Sequence, residues 1–157
     1  MKKTMMTLTA VLALTLAVQA GLAQAGGEWE AQKQKALAAA KVSLPDAAVD
    51  YAVREFDDGR AVWNLFFTQG GQLGVCKVLE ESNEVRRVEL YEKGEGVLTA
   101  SEAMARLAQK KDGATVVELE LDEDDGRLTY EGEAELDGKR YEFEMSAAGE
   151  MIEWERD

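Results

Sequence analysis

The sequence predicts an α+β protein of two tandem units, each one helix packed on an antiparallel β-meander. Three observations carry that expectation. Asp57-Asp58-Gly59-Arg60 recurs as Asp124-Asp125-Gly126-Arg127, at an offset of 67 residues. The same offset carries Ala36-Leu37-Ala38 onto Ala103-Met104-Ala105, Trp63 onto Tyr130 and Gly71 onto Gly138. Several matches at one ungapped offset mark an internal duplication. Each copy then runs from a helical apolar period into two-residue alternation, the sign of a half-buried strand. Asp137-Gly138, set between two alternating runs, is a hairpin signal.

Residues 1–25 read as a signal peptide. Lys2 and Lys3 precede an uncharged apolar run over 5–18, and Ala23-Gln24-Ala25 gives the small-x-small cleavage pattern. The run is shorter than the roughly 20 apolar residues a membrane span needs, and no cysteine follows it for lipid attachment. The mature chain is expected to begin at Gly26, exported and without stable membrane insertion.

The first unit covers residues 26–92. A helix over 29–41 should end at Leu44-Pro45-Asp46, since proline cannot continue a helix and constrains the residue before it. Strands follow near 48–56, 61–68, 72–79 and 84–91. Val49, Tyr51 and Val53 alternate with a parity opposite to that implied by the repeat, which calls for a bulge or slip near Glu55. Lys93-Gly94-Glu95-Gly96 links the copies. The second unit, 97–157, opens on Leu98 and Thr99-Ala100-Ser101-Glu102, the form of a capping box. Ala100, Ala103, Met104, Leu107 and Ala108 share a helical face, and Asp112-Gly113 stops it. Val117, Leu119 and Leu121 then alternate with Glu118 and Glu120. Leu128, Tyr130, Ala134 and Leu136 alternate with Thr129, Glu131, Glu133 and Glu135. Tyr141, Phe143 and Met145 alternate with Arg140, Glu142 and Glu144, and Ala148-Gly149 turns into Met151-Ile152-Glu153-Trp154.

Charge excludes some functions. The net charge is −13, and residues 26–96 carry 13 acidic and 9 basic residues against 18 and 7 in 97–157. Such a chain repels phosphate backbones and anionic membranes, so nucleic acid is not an expected partner. Acidity also serves solubility. Cys76 is the only cysteine, so stability must come from packing rather than an internal disulfide. A unit of about 60 residues has a marginal core of its own, which favours shared surface between the copies or a homodimer.

The stretch Leu98-Thr99-x-Ser101-Glu102-Ala103, with Tyr141-Glu142-Phe143-Glu144-Met145 and Gly149-Glu150-Met151-Ile152-Glu153-Trp154, resembles the PepSY domain family. The resemblance covers 97–157 and, more weakly, 28–92, where Asn83-Glu84 replaces Gly149-Glu150. It implies a small, exported, non-catalytic bacterial module of the kind found in metallopeptidase propeptides, restraining peptidases or binding at the envelope. The tandem plan is also similar in architecture to secreted β-lactamase inhibitors, a likeness that does not by itself carry function.

Little in the chain suits catalysis. There is no histidine, which removes the commonest general base and transition-metal ligand. Cys76 falls on the inward side of its strand, as a buried small hydrophobe. The many carboxylates single out no acid–base pair, and no cofactor is expected. The acidic loop with Asp122, Asp124 and Asp125 fails the EF-hand pattern, because Leu121 and Gly132 would occupy ligand positions. It reads as a turn, with a weak cation site as the other reading.

The copies differ most on their outer faces. Where the second has Thr129, Glu133, Arg140 and Glu142, the first has Val62, Phe66, Leu73 and Val75. An apolar outer face implies burial against something, either the sister unit, a second copy or another protein. The leading expectation is a non-enzymatic periplasmic or secreted protein of the bacterial envelope. It would bind a protein partner, a secreted peptidase or other hydrolase among the candidates, through Val62, Phe66, Leu73 and Val75. The alternative is an acidic cation-binding or envelope-sensing protein.

Overall fold

The computed structural model describes residues 27–157; the expected signal peptide lies outside them. Two helices and two four-stranded antiparallel sheets make an α+β fold of two similar units. The first unit holds α1 (Gly27–Ser43), β1 (Ala48–Asp57), β2 (Arg60–Gln69), β3 (Gln72–Leu79) and β4 (Val85–Glu92). The second holds α2 (Ala100–Lys110), β5 (Thr115–Asp124), β6 (Arg127–Leu136), β7 (Lys139–Ser146) and β8 (Met151–Arg156). Each sheet is a meander in chain order, β1-β2-β3-β4 and β5-β6-β7-β8.

Local chemistry sets the element ends. Thr99 caps α2, with its hydroxyl accepting from the Glu102 amide and the Glu102 carboxylate accepting from the Thr99 amide. Two backbone donors at a helix start are thereby satisfied reciprocally. Asp58-Gly59 and Asp125-Gly126 turn with positive φ at both residues, 50° and 75° in one and 49° and 75° in the other. That is the two-residue turn whose twist matches antiparallel strands.

The repeat is truer than the apolar alternation suggests, and one expectation is corrected. The register of β1 on β2 shifts between Val49 and Tyr51, and that of β5 on β6 between Val116 and Glu118. The bulge therefore falls at Asp50 and Val117, 67 residues apart, and not near Glu55. An extra residue reverses the parity downstream of it. Val49, Ala52 and Arg54 share one face of β1, and Tyr51, Val53 and Glu55 the other.

Burial shows why β2 is so apolar. Every residue from Val62 to Phe67 is buried, as expected of a strand covered on both faces. On one face Trp63, Leu65, Phe67, Cys76 and Val78 join Ala36 and Ala40 of α1 in one cluster. On the other, Val53, Phe66, Leu73 and Val75 join α2 and the inner face of the second sheet, including Leu119, Leu121, Tyr130, Phe143 and Met145. The two units thus share their larger core, which answers the marginal size of each alone.

Three polar contacts fasten the same seam. The Ser101 amide donates to the Asp50 carboxylate at 3.0 Å, Tyr91 Oη to the Leu121 carbonyl at 3.0 Å, and Asn64 Nδ2 to the Leu119 carbonyl at 3.4 Å. Asp50 thus places a carboxylate at the N-terminus of α2, where the helix dipole favours negative charge.

Candidate functional site

The structure corrects the expected partner-binding face. Val62, Phe66, Leu73 and Val75 are all buried, and Phe66, Leu73 and Val75 sit in the core shared with the second unit. The sister unit covers these three. Asp122, Asp124 and Asp125 are all exposed around a tight hairpin turn, the conformation expected of this loop. Among the described residues, no group of three or more acidic or cysteine side chains is arranged to hold a metal ion. Cys76 is fully buried in the α1-facing cluster, and burial pushes its thiol up to about 11. A nucleophile needs the opposite shift.

What remains is the outer face of the second sheet, and strand register gives it an order that alternation within single strands does not reveal. Glu118 pairs with Glu133, Glu133 with Glu142, and Glu142 with Glu155. One pleat along, Glu120 pairs with Glu131, Glu131 with Glu144, and Glu144 with Glu153. Eight glutamates therefore stand in two parallel rows across four strands, and all but Glu155 line a shallow depression of about 270 Å³. The interleaved residues Leu119, Gly132, Phe143 and Trp154 form the row between them on the opposite, inner face. Arg140 closes one end of the acidic face, 3.0 Å from Glu133 and 3.5 Å from Glu135.

The signal was present in the sequence. Glu-x-Glu recurs in every strand, starting at Glu118, Glu131, Glu142 and Glu153. Two-residue turns set the register of β5, β6 and β7, whereas β8 follows a four-residue connection over 147–150 and pairs with a register shift at Glu144 and Met145.

This arrangement costs stability. Like charges directly opposite on neighbouring strands disfavour folding, on a scale of roughly 0.2–1 kcal/mol per pair. Glu118 shows the effect: partial burial, then Glu133 and Glu120, push its carboxyl above the usual range. Glu55 on β1, facing the same seam, is raised chiefly by burial, with further contributions from Glu118 and Glu120 against the lowering by Asn64 and Lys77.

The sign of the pH dependence follows. A carboxyl raised in the folded state binds its proton more tightly there, so stability falls as pH rises through the interval above its ordinary value. Glu30 and Glu80, lowered chiefly by hydrogen bonds from Lys33 and Arg54, act in the opposite direction as pH falls. Replacing Glu118 by Gln should therefore raise the melting temperature at pH 7, by the equivalent of about 0.5 kcal/mol. The gain should vanish once the medium is acidic enough to protonate the parent; thermal melts of both proteins from pH 4 to 8 would reveal a gain independent of pH and refute this.

The PepSY model, the peptidase propeptide and YPEB domain, matches residues 97–148. The uncharacterized protein YkoJ of Bacillus subtilis (strain 168) is 31% identical over 136 residues, covering 85% of this chain and 80% of that protein. A crystal structure of a lipoprotein candidate from Clostridium difficile 630 covers 78% of this chain and 90% of its own, at 17% identity and a TM-score of 0.43. Among the described residues no helix is long and apolar enough to cross a membrane. On the strength of the domain match and a relative of this coverage, the chain belongs to the PepSY domain family.

Proposed function

We propose that this protein is a non-catalytic periplasmic or secreted binding module that captures a basic protein partner on the glutamate face of its second unit. One observation carries the reading: two in-register rows of four glutamates on a single sheet face. Solubility alone calls for interspersed charge and does not call for like charges placed opposite one another. A destabilising pattern retained on a folded scaffold is the expected mark of a surface selected for something other than stability. Facing lysines and arginines, the same rows become favourable, steering encounter and rejecting acidic surfaces.

Membership of the PepSY family supports the regulatory form of this reading, in which the partner is a secreted peptidase or other hydrolase held in check. The distinguishing surface of that partner would be basic.

Cross-linked capture from envelope extract tests the proposal, using the parent, a row variant (Glu120→Gln, Glu131→Gln, Glu144→Gln, Glu153→Gln) and a control variant with as many acids neutralised elsewhere (Glu28→Gln, Glu81→Gln, Glu84→Gln, Glu95→Gln). Parent and control should retain one basic protein that the row variant loses. Equal capture by all three, or a captured protein with an acidic surface, would contradict it.

A further inference from the structure

The seam between the units is closed at one end and open at the other. At the closed end the outer edge of β5 is occupied, since the Leu119 and Leu121 carbonyls accept from Asn64 and Tyr91. At the open end the free edges of β1 and β5 face a groove of about 440 Å³. Six consecutive residues of β1, Tyr51 to Phe56, and three of β5, Val116 to Glu118, line it. Successive side chains of a strand point to opposite faces, so a cavity lined by consecutive residues runs along the backbone edge. Both strands are outermost in their sheets. Among the described residues, no backbone hydrogen bond beyond those to β2 and β6 reaches either stretch. Unpaired strand edges are templates for another strand.

The banks of the groove differ in chemistry. On the β1 side the Arg54 guanidinium lies between two aromatic rings, 4.8 Å from the centre of Trp29 and 4.9 Å from that of Phe56. Glu80 holds it there through Nε at 2.6 Å and Nη2 at 3.0 Å, while also accepting from Trp63 Nε1. Trp29 and Phe56 are nevertheless 42% and 68% exposed. Exposed aromatic side chains held rigid by an arginine are the residue types that anchor protein interfaces. On the β5 side stand Glu118 and Glu133, with Arg140 already engaged by Glu133. Glu118 and Glu133 also begin one of the glutamate rows, so the groove opens directly onto the acidic face.

We infer that this groove binds an extended segment of the partner protein, one that alternates basic and apolar side chains and lies along the free edge of β1. Successive side chains of such a segment face opposite banks. The apolar ones rest on Trp29 and Phe56, and the basic ones reach Glu118 and Glu133. Main-chain hydrogen bonds to the strand edge supply affinity, and the side chains on the two banks supply the sequence preference. The inference rests on the proposed capture of a basic partner and specifies how one segment of that partner docks.

The test uses an eight-residue peptide of alternating lysine and valine, and the same peptide with alternate backbone amides N-methylated. Affinity, hydrogen exchange and sedimentation are measured with the purified protein. The parent should bind the first peptide at least tenfold more tightly than the second, with slowed exchange in residues 52–56. A Trp29→Ser, Phe56→Ser variant, altered only at exposed positions, should lose tenfold or more while keeping its melting temperature. Equal binding of the two peptides, abolished only by the row variant, would place the segment on the glutamate face; this inference would fail and the proposed function would stand. No binding of either peptide would overturn both. A dimer that dissociates when Trp29 and Phe56 are replaced would mean a second copy fills the groove, which also overturns the inference.

Discussion

Replacing Phe66 and Val75 together by glutamate is expected to unfold the protein. Phe66 is 2% exposed and Val75 8%, and both pack in the core that joins the first sheet to α2 and the second sheet. Truncating a buried phenylalanine to alanine already costs about 3–5 kcal/mol through lost burial and the cavity left behind. A buried, unpaired carboxylate adds a desolvation cost that packing cannot offset. Whole domains are stable by only about 5–15 kcal/mol, so the double variant should lack a cooperative thermal transition. Circular dichroism checks this. A folded double variant with an unchanged melting temperature would mean that the two units do not share a core and that the apolar face of the first is free. The milder Phe66→Leu change, which keeps the site apolar, should leave a folded protein of lower melting temperature.

Gly132→Ala is expected to cost about 1–3 kcal/mol, the usual range for overpacking, from a single methyl group. A Cβ at this position would stand 2.0 Å from the Glu118 carbonyl oxygen and 3.1 Å from the Leu119 Cα. Both obstacles are backbone, so no side chain can swing aside. The close approach occurs just beyond the bulge at Val117, where the strand partner of Gly132 is Leu119. Glycine inside a strand commonly marks such an approach. Relief would require β5 to move away from β6, and with it Glu118 and Glu120 from Glu133 and Glu131. Denaturant unfolding should therefore register a large loss at Gly132. Equal stability of Gly132→Ala and the parent would contradict this account of the bulge.

Sequence reasoning reached the parts of the fold that local chemistry dictates. Asp58-Gly59 and Asp125-Gly126 turn where they do because aspartate tolerates positive φ and glycine adopts it without cost. Thr99 and Glu102 cap α2 because their spacing lets each satisfy the other's backbone. The bulges at Asp50 and Val117 are less legible: the parity of Val49, Tyr51 and Val53 calls for one in β1 without fixing its place, and Val117 reads as part of an apolar alternation with Leu119 and Leu121. Alternation also tells which residues share a face without telling what lies over it. For that reason Val62, Phe66, Leu73 and Val75 read equally well as a binding surface or an internal seam. The glutamate rows needed one further step, combining the recurrence of Glu-x-Glu with the register that the two-residue turns impose on β5, β6 and β7; the shifted pairing of β8 leaves no such signal in the sequence.

The two copies have thus diverged on one face. Tyr51 and Val53 in the first unit stand at the positions of Glu118 and Glu120 in the second. One sheet turned that face inward and supplies the shared core; the other kept it in solvent and concentrated negative charge there.

Titrating a lysine-rich decapeptide into the parent, the row variant and the control variant at two salt concentrations tests the central claim most directly. The account predicts that parent and control bind alike, that binding weakens with salt as screening increases, and that the row variant loses most of the affinity. Equal weakening in the row and control variants would mean that the peptide reads only net charge, and the glutamate rows would not be a binding surface.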